Sequence, residues 1–221
     1  MINVKLSPRL EAVSSYVKDD SKIIDIGCDH AFLDIYLYKN RNNIKIIASD
    51  VNEKALQNAK ANIHKYNLDN KIDTRLGSGL TVLNDEDIDT IILAGMGSFT
   101  MLKILNHDLL KKTSIKQIIV QSNTDLYLLR KEVIKKGFYI KNEQVIKENN
   151  LYYVIINFER GKRKYSKKEL YLGPCLIKEN APIFIEKKTK ELNKLKTIYK
   201  KIPWYHIFLK IKIKKLIRLY K

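Results

Sequence analysis

The sequence predicts an α/β fold with a doubly wound, mostly parallel sheet, followed by a separate basic helical segment. Over residues 20–160, short apolar runs alternate with stretches whose apolar residues recur at helical spacing, which indicates strands and helices in turn. Beyond residue 160 the pattern becomes one of helices, and nearly all of the excess positive charge lies there. We therefore predict an α/β domain at 1–160 and a helical appendage at 161–221.

Four apolar runs predict buried parallel strands, at residues 22–27, 44–50, 89–95 and 116–121. Apolar residues at helical spacing predict the helices that alternate with them, at residues 32–37, 55–63, 101–109 and 125–136. An earlier helix begins with Ser7 as N-cap and Pro8 in the first turn. Two further runs, 138–146 and 151–158, are joined by a polar turn and predict an antiparallel pair at one edge of the sheet.

The composition excludes several classes of protein. Of the 221 residues, 45% are hydrophobic, which suits a packed core rather than a disordered chain. No run approaches the roughly 18 to 20 apolar residues that would cross a bilayer, and the first residues lack the apolar segment of a signal peptide. Cys28 and Cys175 lie far apart, which argues against a disulfide framework or a zinc site. We expect a cytoplasmic monomer without a metal.

The charge is distributed unevenly along the chain. Residues 1–159 hold 22 basic and 20 acidic residues, whereas residues 160–221 hold 20 basic and 4 acidic ones. Such a concentration of positive charge is typical of a protein with a polyanionic partner, with nucleic acid favoured over an anionic membrane surface. A tail that serves only solubility is the alternative.

The appendage is predicted to form a short coiled-coil hairpin after a linker at 160–172. A heptad seam in its first helix consists of Ile185, Leu192, Leu195, Tyr199 and Ile202. Pro203 ends that helix. The second helix, at 204–221, is predicted to pack back through Phe208, Ile211, Leu216 and Leu219. Lysines on the hairpin would contact RNA phosphates, and a membrane-surface helix at 204–221 is the rival interpretation.

The residues at the strand exits predict the ligand. In a doubly wound sheet, ligands bind beyond the carboxyl ends of the strands. Asp50 ends the second strand, where a carboxylate can accept two hydrogen bonds from a ribose diol, so we expect an adenosine-containing cofactor. The first loop, 25–31, has one glycine where a dinucleotide fingerprint has three, and Asp29 would repel a phosphate. An acidic loop instead suits a cationic ligand such as S-adenosylmethionine.

Several segments, in this order and spacing, resemble the TrmK family of bacterial tRNA methyltransferases. They are Leu6–Leu10, Asp25–Ala31, Asp50, Gly77–Leu80, Ala94–Gly97 and Gln121–Asn123. The resemblance extends over roughly residues 3 to 200. It implies a class I, Rossmann-like methyltransferase domain with a C-terminal helical coiled coil. It also implies that the protein uses S-adenosylmethionine to methylate N1 of adenine 22 in tRNA.

The resemblance also implies which residues form the site. Carried over position by position, the cofactor pocket would be lined by Arg9, Asp25, Gly27, Asp29, His30, Asp50, Val51, Ser78, Gly79, Ala94, Gly95 and Met96. Arg9 would meet the methionine carboxylate.

The reaction needs little acid or base chemistry, since N1 of neutral adenine already carries a lone pair and the enzyme mainly aligns the reacting atoms. Asp29, His30 and Asn123 are the candidates for stabilising the positive charge of the product or taking a proton. Phe32 and Phe99 are candidates to receive a flipped base, although a position in the core is favoured for each.

Two other functions stay open at this point. Ser78 stands where many methyltransferases carry an acid for the adenine amino group, and the glycine pattern of the first loop is short. A non-catalytic RNA-binding protein with a methyltransferase-like domain is therefore one alternative. A methyltransferase that acts on a protein or a small molecule, with the tail serving only solubility, is the other.

Overall fold

A computed structural model describes residues 4–84, 86–112 and 114–221. The chain divides into two compact units, one extending to Arg163 and the other from Lys164 to Lys221. Within the described residues, no helix is both long enough and apolar enough to cross a membrane.

The first unit is built on a seven-stranded sheet. Its strands are β1 (Lys22–Ile26), β2 (Lys45–Asp50), β3 (Ile72–Leu76), β4 (Thr90–Ala94), β5 (Gln117–Ser122), β6 (Phe138–Glu148) and β7 (Leu151–Arg160). They lie in the order β3-β2-β1-β4-β5-β7-β6. The first five strands are parallel, and β7 runs antiparallel to both of its neighbours. The predicted doubly wound sheet with an antiparallel edge is confirmed.

Among its described residues, this unit has five α-helices: α1 (Pro8–Ser14), α2 (Phe32–Asn40), α3 (Glu53–Lys65), α4 (Ser98–Ile104) and α5 (Leu126–Lys135). Helix α1 begins as the sequence predicts, because the Ser7 hydroxyl accepts a hydrogen bond from the Leu10 amide at 3.5 Å and Pro8 needs no amide partner there. Helix α3 begins in the same way, since the Asn52 side chain accepts from the amides of Lys54 and Ala55.

The central strands hold the unit together. Ile23 and Ile24 of β1, Ile92 of β4 and Ile119 of β5 are completely buried. Burial of one such side chain contributes about 1.5–3 kcal/mol. Because the apolar runs fill the middle of each strand, the polar residues that follow are left at one edge of the sheet, where the strands end.

Two elements differ from the sequence analysis. The sequence has no apolar run that predicts β3, because this strand lies at the sheet edge and only Ile72 of its residues is buried. The single helix expected through Leu109 is interrupted. Helix α4 ends at Ile104, and Leu109 lies in a separate 3-10 turn whose first residues are capped by His107, which accepts from the Leu109 amide at 3.2 Å.

The second unit contains four helices: α6 (Lys167–Leu172), α7 (Pro174–Glu179), α8 (Pro182–Lys201) and α9 (Ile207–Tyr220). The last two pack against each other as a helical hairpin. The linker predicted at 160–172 is wrong for its second half, because Ser166 and Glu169 form a reciprocal capping box that begins α6.

The faces of the hairpin also differ from the prediction. Ile185, the first residue of the predicted seam, is exposed, and its neighbour Phe184 is buried instead. In α9, Ile213 is buried, whereas Phe208 is 90% exposed and Ile211 is also exposed. Ile213 follows Phe208 by five positions, which places the two residues about 140° apart around a helix. The predicted inward position of Phe208 and Ile211 is therefore wrong.

A buried ion pair joins α5 to the antiparallel edge of the sheet. The Arg130 guanidinium lies 2.7 Å from the Glu143 carboxylate, and both side chains are fully buried. Two charges removed from water stabilise a fold only while each compensates the other. The pair therefore fixes α5, the helix that follows the exit of β5, against β6.

We predict that Glu143→Ala lowers the free energy of unfolding by about 3–5 kcal/mol, because it leaves a guanidinium buried without its carboxylate. Urea unfolding followed by circular dichroism measures the loss. The double variant Arg130→Met/Glu143→Leu removes both charges and should regain most of the stability. A loss below about 1 kcal/mol for Glu143→Ala would contradict the role of the pair.

Candidate active site

The site lies where the order of the strands reverses. Strand β1 has β2 on one side and β4 on the other, so the connections that leave β1 and β4 diverge and a crevice opens between them. Two adjoining cavities occupy this crevice, with volumes of about 440 Å³ and about 360 Å³. Gly27 and Asp50 line both of them.

All twelve residues expected in the cofactor pocket line these cavities. The first cavity is lined by Arg9, Asp25, Gly27, Asp29, His30, Asp50, Ala94 and Gly95. The second is lined by Gly27, Asp50, Val51, Ser78, Gly79 and Met96. Asn123 is the exception among the site candidates, since it lies on the exposed loop after β5 and lines neither cavity.

The loop after β1 has a backbone that few side chains tolerate. Gly27 has φ +81°, and a Cβ there would lie 3.0 Å from the Met96 methyl carbon. The Gly27 amide donates to the carbonyl of Ser49 on β2 at 2.8 Å. Asp29 and Ala31 also have positive φ values, of 51° and 55°. Such conformations concentrate at functional sites, because the surrounding structure must hold them in place.

Asp50 connects the first two loops. One of its carboxylate oxygens accepts from the Asn52 amide at 2.8 Å, and the other accepts from the Asp29 amide at 3.3 Å. Each carboxylate oxygen has a second lone pair, and the side chain is partly exposed to the crevice. This arrangement fits the two hydroxyl groups of a ribose.

Arg9 is held by residues that are distant in the sequence. Its guanidinium donates to the Gln121 side-chain oxygen at 2.6 Å, and the same oxygen accepts from the Gly95 amide at 3.1 Å. Glu148 lies 3.7 Å from Arg9, and the Tyr153 ring lies 5.6 Å from the guanidinium carbon. Gln121 therefore positions Arg9 at the first cavity, a role that the sequence analysis did not assign to it.

Two buried acids lie together at the first cavity: Asp25 lines it, and Asp34 is a neighbour of Asp25. Burial, and then the charge of Asp50, raise the pKa of Asp25 to about 7. Burial, and then the charge of Asp25, raise the pKa of Asp34 well above its usual range. A cation in this cavity would favour ionised Asp25 and offset the cost of its burial.

The second cavity is more apolar. Leu80, Ile104 and Met96 line it, with Ser78 and Thr81 as polar neighbours. Thr100 and Lys103 of α4, and His107 shortly after it, also line the cavity; reading the strand exits alone does not find them. An acidic cavity beside an apolar one fits S-adenosylmethionine, whose cationic methionine end and flat adenine ring have these two characters.

The two aromatic candidates do not lie in the core, contrary to the favoured prediction. Phe99 is 72% exposed on the first turn of α4. Phe32 is 39% exposed and stacks on His30, with ring centroids 5.8 Å apart. Within the described ranges, no group of three His, Cys, Asp or Glu side chains is arranged to hold a metal ion.

We predict that the buried acids make stability depend on pH. Between the usual value of 3.8 and the raised pKa values, the folded chain binds more protons than the unfolded chain, so the free energy of unfolding falls as pH rises from 5 to 8. Each excess proton contributes about 1.4 kcal/mol per pH unit. Asp34→Asn, a neutral isostere, should flatten this fall in denaturant unfolding without cofactor.

Asp20→Asn is the matched control, because Asp20 is exposed in the turn before β1 and its carboxylate accepts from the uncharged Asn43 side chain at 2.9 Å. It should keep the wild-type dependence on pH. Parallel profiles for Asp34→Asn and the wild type would show that Asp34 is not the source of the excess protons.

Comparisons with known proteins identify the family of the chain. The model of the family described as TrmK, tRNA (adenine(22)-N(1))-methyltransferase, matches residues 23–219. The tRNA (adenine(22)-N(1))-methyltransferase of Bacillus subtilis (strain 168) is 31% identical over 208 residues, which are 91% of this chain and 87% of that protein.

Two solved structures are similar over nearly their whole length. The B. subtilis m1A22 tRNA methyltransferase TrmK gives a TM-score of 0.90 at 27% identity, covering 99% of this chain and 98% of that one. M. capricolum TrmK, solved in complex with S-adenosyl-homocysteine, gives a TM-score of 0.87 at 32% identity, covering 97% and 96%. With the crevice and the family match in agreement, the chain belongs to the TrmK family of tRNA (adenine(22)-N(1))-methyltransferases.

Proposed function

We propose that the protein transfers a methyl group from S-adenosylmethionine to N1 of adenine 22 in tRNA. The observation that carries this function is the acidic crevice at the strand reversal, in a chain of the TrmK family. Its carboxylates attract a cationic methyl donor and repel the phosphates of a dinucleotide. The M. capricolum relative, solved with S-adenosyl-homocysteine, supports the same choice of cofactor.

The two cavities suggest how the cofactor lies. The first would take the methionine end, with Arg9 facing the carboxylate and Asp25 facing the cationic groups. Asp50 would accept the ribose hydroxyls, because it lies at the boundary between the cavities. The second cavity would take the adenine between Leu80 and Ile104, with Ser78 at its edge.

The protein mainly has to align adenine N1 with the methyl group and to stabilise the positive charge of the product. When bound, S-adenosylmethionine supplies an electrophilic methyl group, and adenine N1 offers its lone pair without losing a proton first. The methylated base is positively charged. Asp29, whose side chain is 72% exposed beside the cavity, is suited to stabilise that charge. His30 and Asn123 are our further candidates for contacts with the target base.

The second unit is our candidate for holding the tRNA. Exposed lysines on α8, among them Lys194, Lys200 and Lys201, suit contacts with phosphates. Contacts of this kind supply affinity and orientation, so the choice of adenine 22 would come from the shape of the tRNA and from the crevice. A cytoplasmic location and a monomeric state stay predictions.

We predict that purified protein, S-adenosylmethionine and an unmodified tRNA transcript yield 1-methyladenosine, and that the product disappears when adenine 22 of the transcript is replaced by guanine. Nucleoside mass spectrometry with reference standards separates 1-methyladenosine from its isomers.

Asp50→Ala should weaken cofactor binding about 30-fold in calorimetry, since it removes charge-assisted hydrogen bonds together worth about 2 kcal/mol. Asp20→Asn serves again as the control, since Asp20 lines neither cavity.

The alternatives give different results in the same experiment. Cofactor binding without methylation of any tRNA would favour a protein or small-molecule substrate. The absence of cofactor binding, with tRNA still bound, would favour a non-catalytic RNA-binding protein.

We also predict that Lys194→Gln/Lys200→Gln/Lys201→Gln reduces the slope of log affinity for tRNA against log salt by about 2, because each neutralised phosphate contributes about 0.7–0.9. Titration of labelled tRNA at several salt concentrations gives the slope. The control variant carries Lys45→Gln, Lys71→Gln and Lys116→Gln, which change the same charge near the amino ends of β2, β3 and β5. Equal slopes in both variants would refute a specific role of α8.

A further inference from the structure

The turn between α8 and α9, together with the first residues of α9, exposes several large apolar side chains. We call this set the tip surface, and its members are Trp204, Tyr205, Ile207, Phe208, Leu209 and Ile211. Trp204 and Phe208 are the most open, at 80% and 90% exposure. Large apolar side chains that are exposed close together in the chain often mark an interaction site.

The tip surface is rich in open aromatic faces. The Trp204 and Tyr205 rings meet edge to face, with centroids 5.9 Å apart and planes at 81°. An edge-to-face contact covers at most one face of an indole, and the exposure of Trp204 shows that most of its ring is accessible. Phe208 has no aromatic partner of this kind among the described residues. Flat, open rings suit stacking on other flat rings.

The charge around the tip surface selects the partner. Residues 192–221 contain ten basic residues and no acidic one. Lys212 and Lys215 follow Phe208 at four and seven residues, which places them within about 40° of it around the helix. An apolar face that sinks into a membrane needs to be continuous, and these lysines interrupt it. A second copy of the chain is disfavoured by the repulsion between two such segments.

We propose that the tip surface binds unstacked bases of an RNA, with Trp204 and Phe208 as stacking platforms and the neighbouring lysines on the phosphates. Aromatic platforms beside cations are the combination by which proteins hold single-stranded RNA, because every base has a π face. The identification of that RNA with a loop of the substrate tRNA rests on the proposed function.

Trp204 is the only tryptophan of the chain, so its fluorescence reports on the tip surface alone. Stacking of a base on the indole should quench the emission of the full-length protein when an unmodified tRNA transcript is added. Polyphosphate offers the same charges without bases and should leave the emission unchanged. A response to vesicles of phosphatidylglycerol but not to tRNA would overturn the proposal and assign the surface to a membrane.

Affinity gives the second test. Trp204→Ala/Phe208→Ala should weaken tRNA binding at least about fivefold at every salt concentration, since stacking on one base contributes about 1–3 kcal/mol. The salt slope should stay unchanged, because no phosphate contact is lost. Ile185→Ala is the control: it removes an exposed apolar side chain from the same hairpin, roughly 25 Å along α8 from the tip. Unchanged affinity of the double variant would overturn the proposal.

The outcomes separate this proposal from the proposed function. If the wild type forms 1-methyladenosine while tRNA leaves the Trp204 emission unchanged at saturation, the tip proposal fails and the enzyme assignment stands. If tRNA quenches the emission and no methylated nucleoside forms, base binding at the tip is supported and the assignment of the reaction fails.

Discussion

The position of β1 between β2 and β4 is the constraint on which the rest of the structure depends. Parallel strands need crossover connections, and consecutive crossovers in opposite directions leave a space that no element fills. Gly27 and Asp50 lie at the edge of that space because each directly follows or ends a strand beside it. The ligand crevice is thus a consequence of the strand order and does not depend on particular side chains.

Negative charge is concentrated in the crevice of the first unit, whereas most of the excess positive charge lies in the second unit. The chain carries a net charge of +18, yet the crevice contains Asp25, Asp29 and Asp50 within one ligand-sized space. A protein that must bind both a cation and a polyanion benefits from this separation, because each ligand meets a local field of the opposite sign.

The sequence predicted the sheet and the site loops well, because buried apolar runs and the residues that follow them are local signals. Strand β3 could not be predicted, because an edge strand such as Ile72–Leu76 buries few side chains and so has no apolar run. Helix α6 could have been found from Ser166 and Glu169, whose spacing is that of a capping box. The orientation of Phe208 could not be predicted, since the phase of α9 is set by the turn before it. The role of Gln121 could be recognised only from the structure, because its contact with Arg9 joins residues that are 112 positions apart.

That contact has a consequence for the synthesis of the protein. Arg9 lies near the start of the chain, whereas Gln121, Glu148 and Tyr153 emerge from the ribosome only after most of the first unit has been translated. A nascent chain that stops before β5 therefore has the acidic loops but lacks the partners that hold the arginine beside them. Cofactor binding stabilises only a folded site, so it acts on the finished domain and gives no help to the early strands.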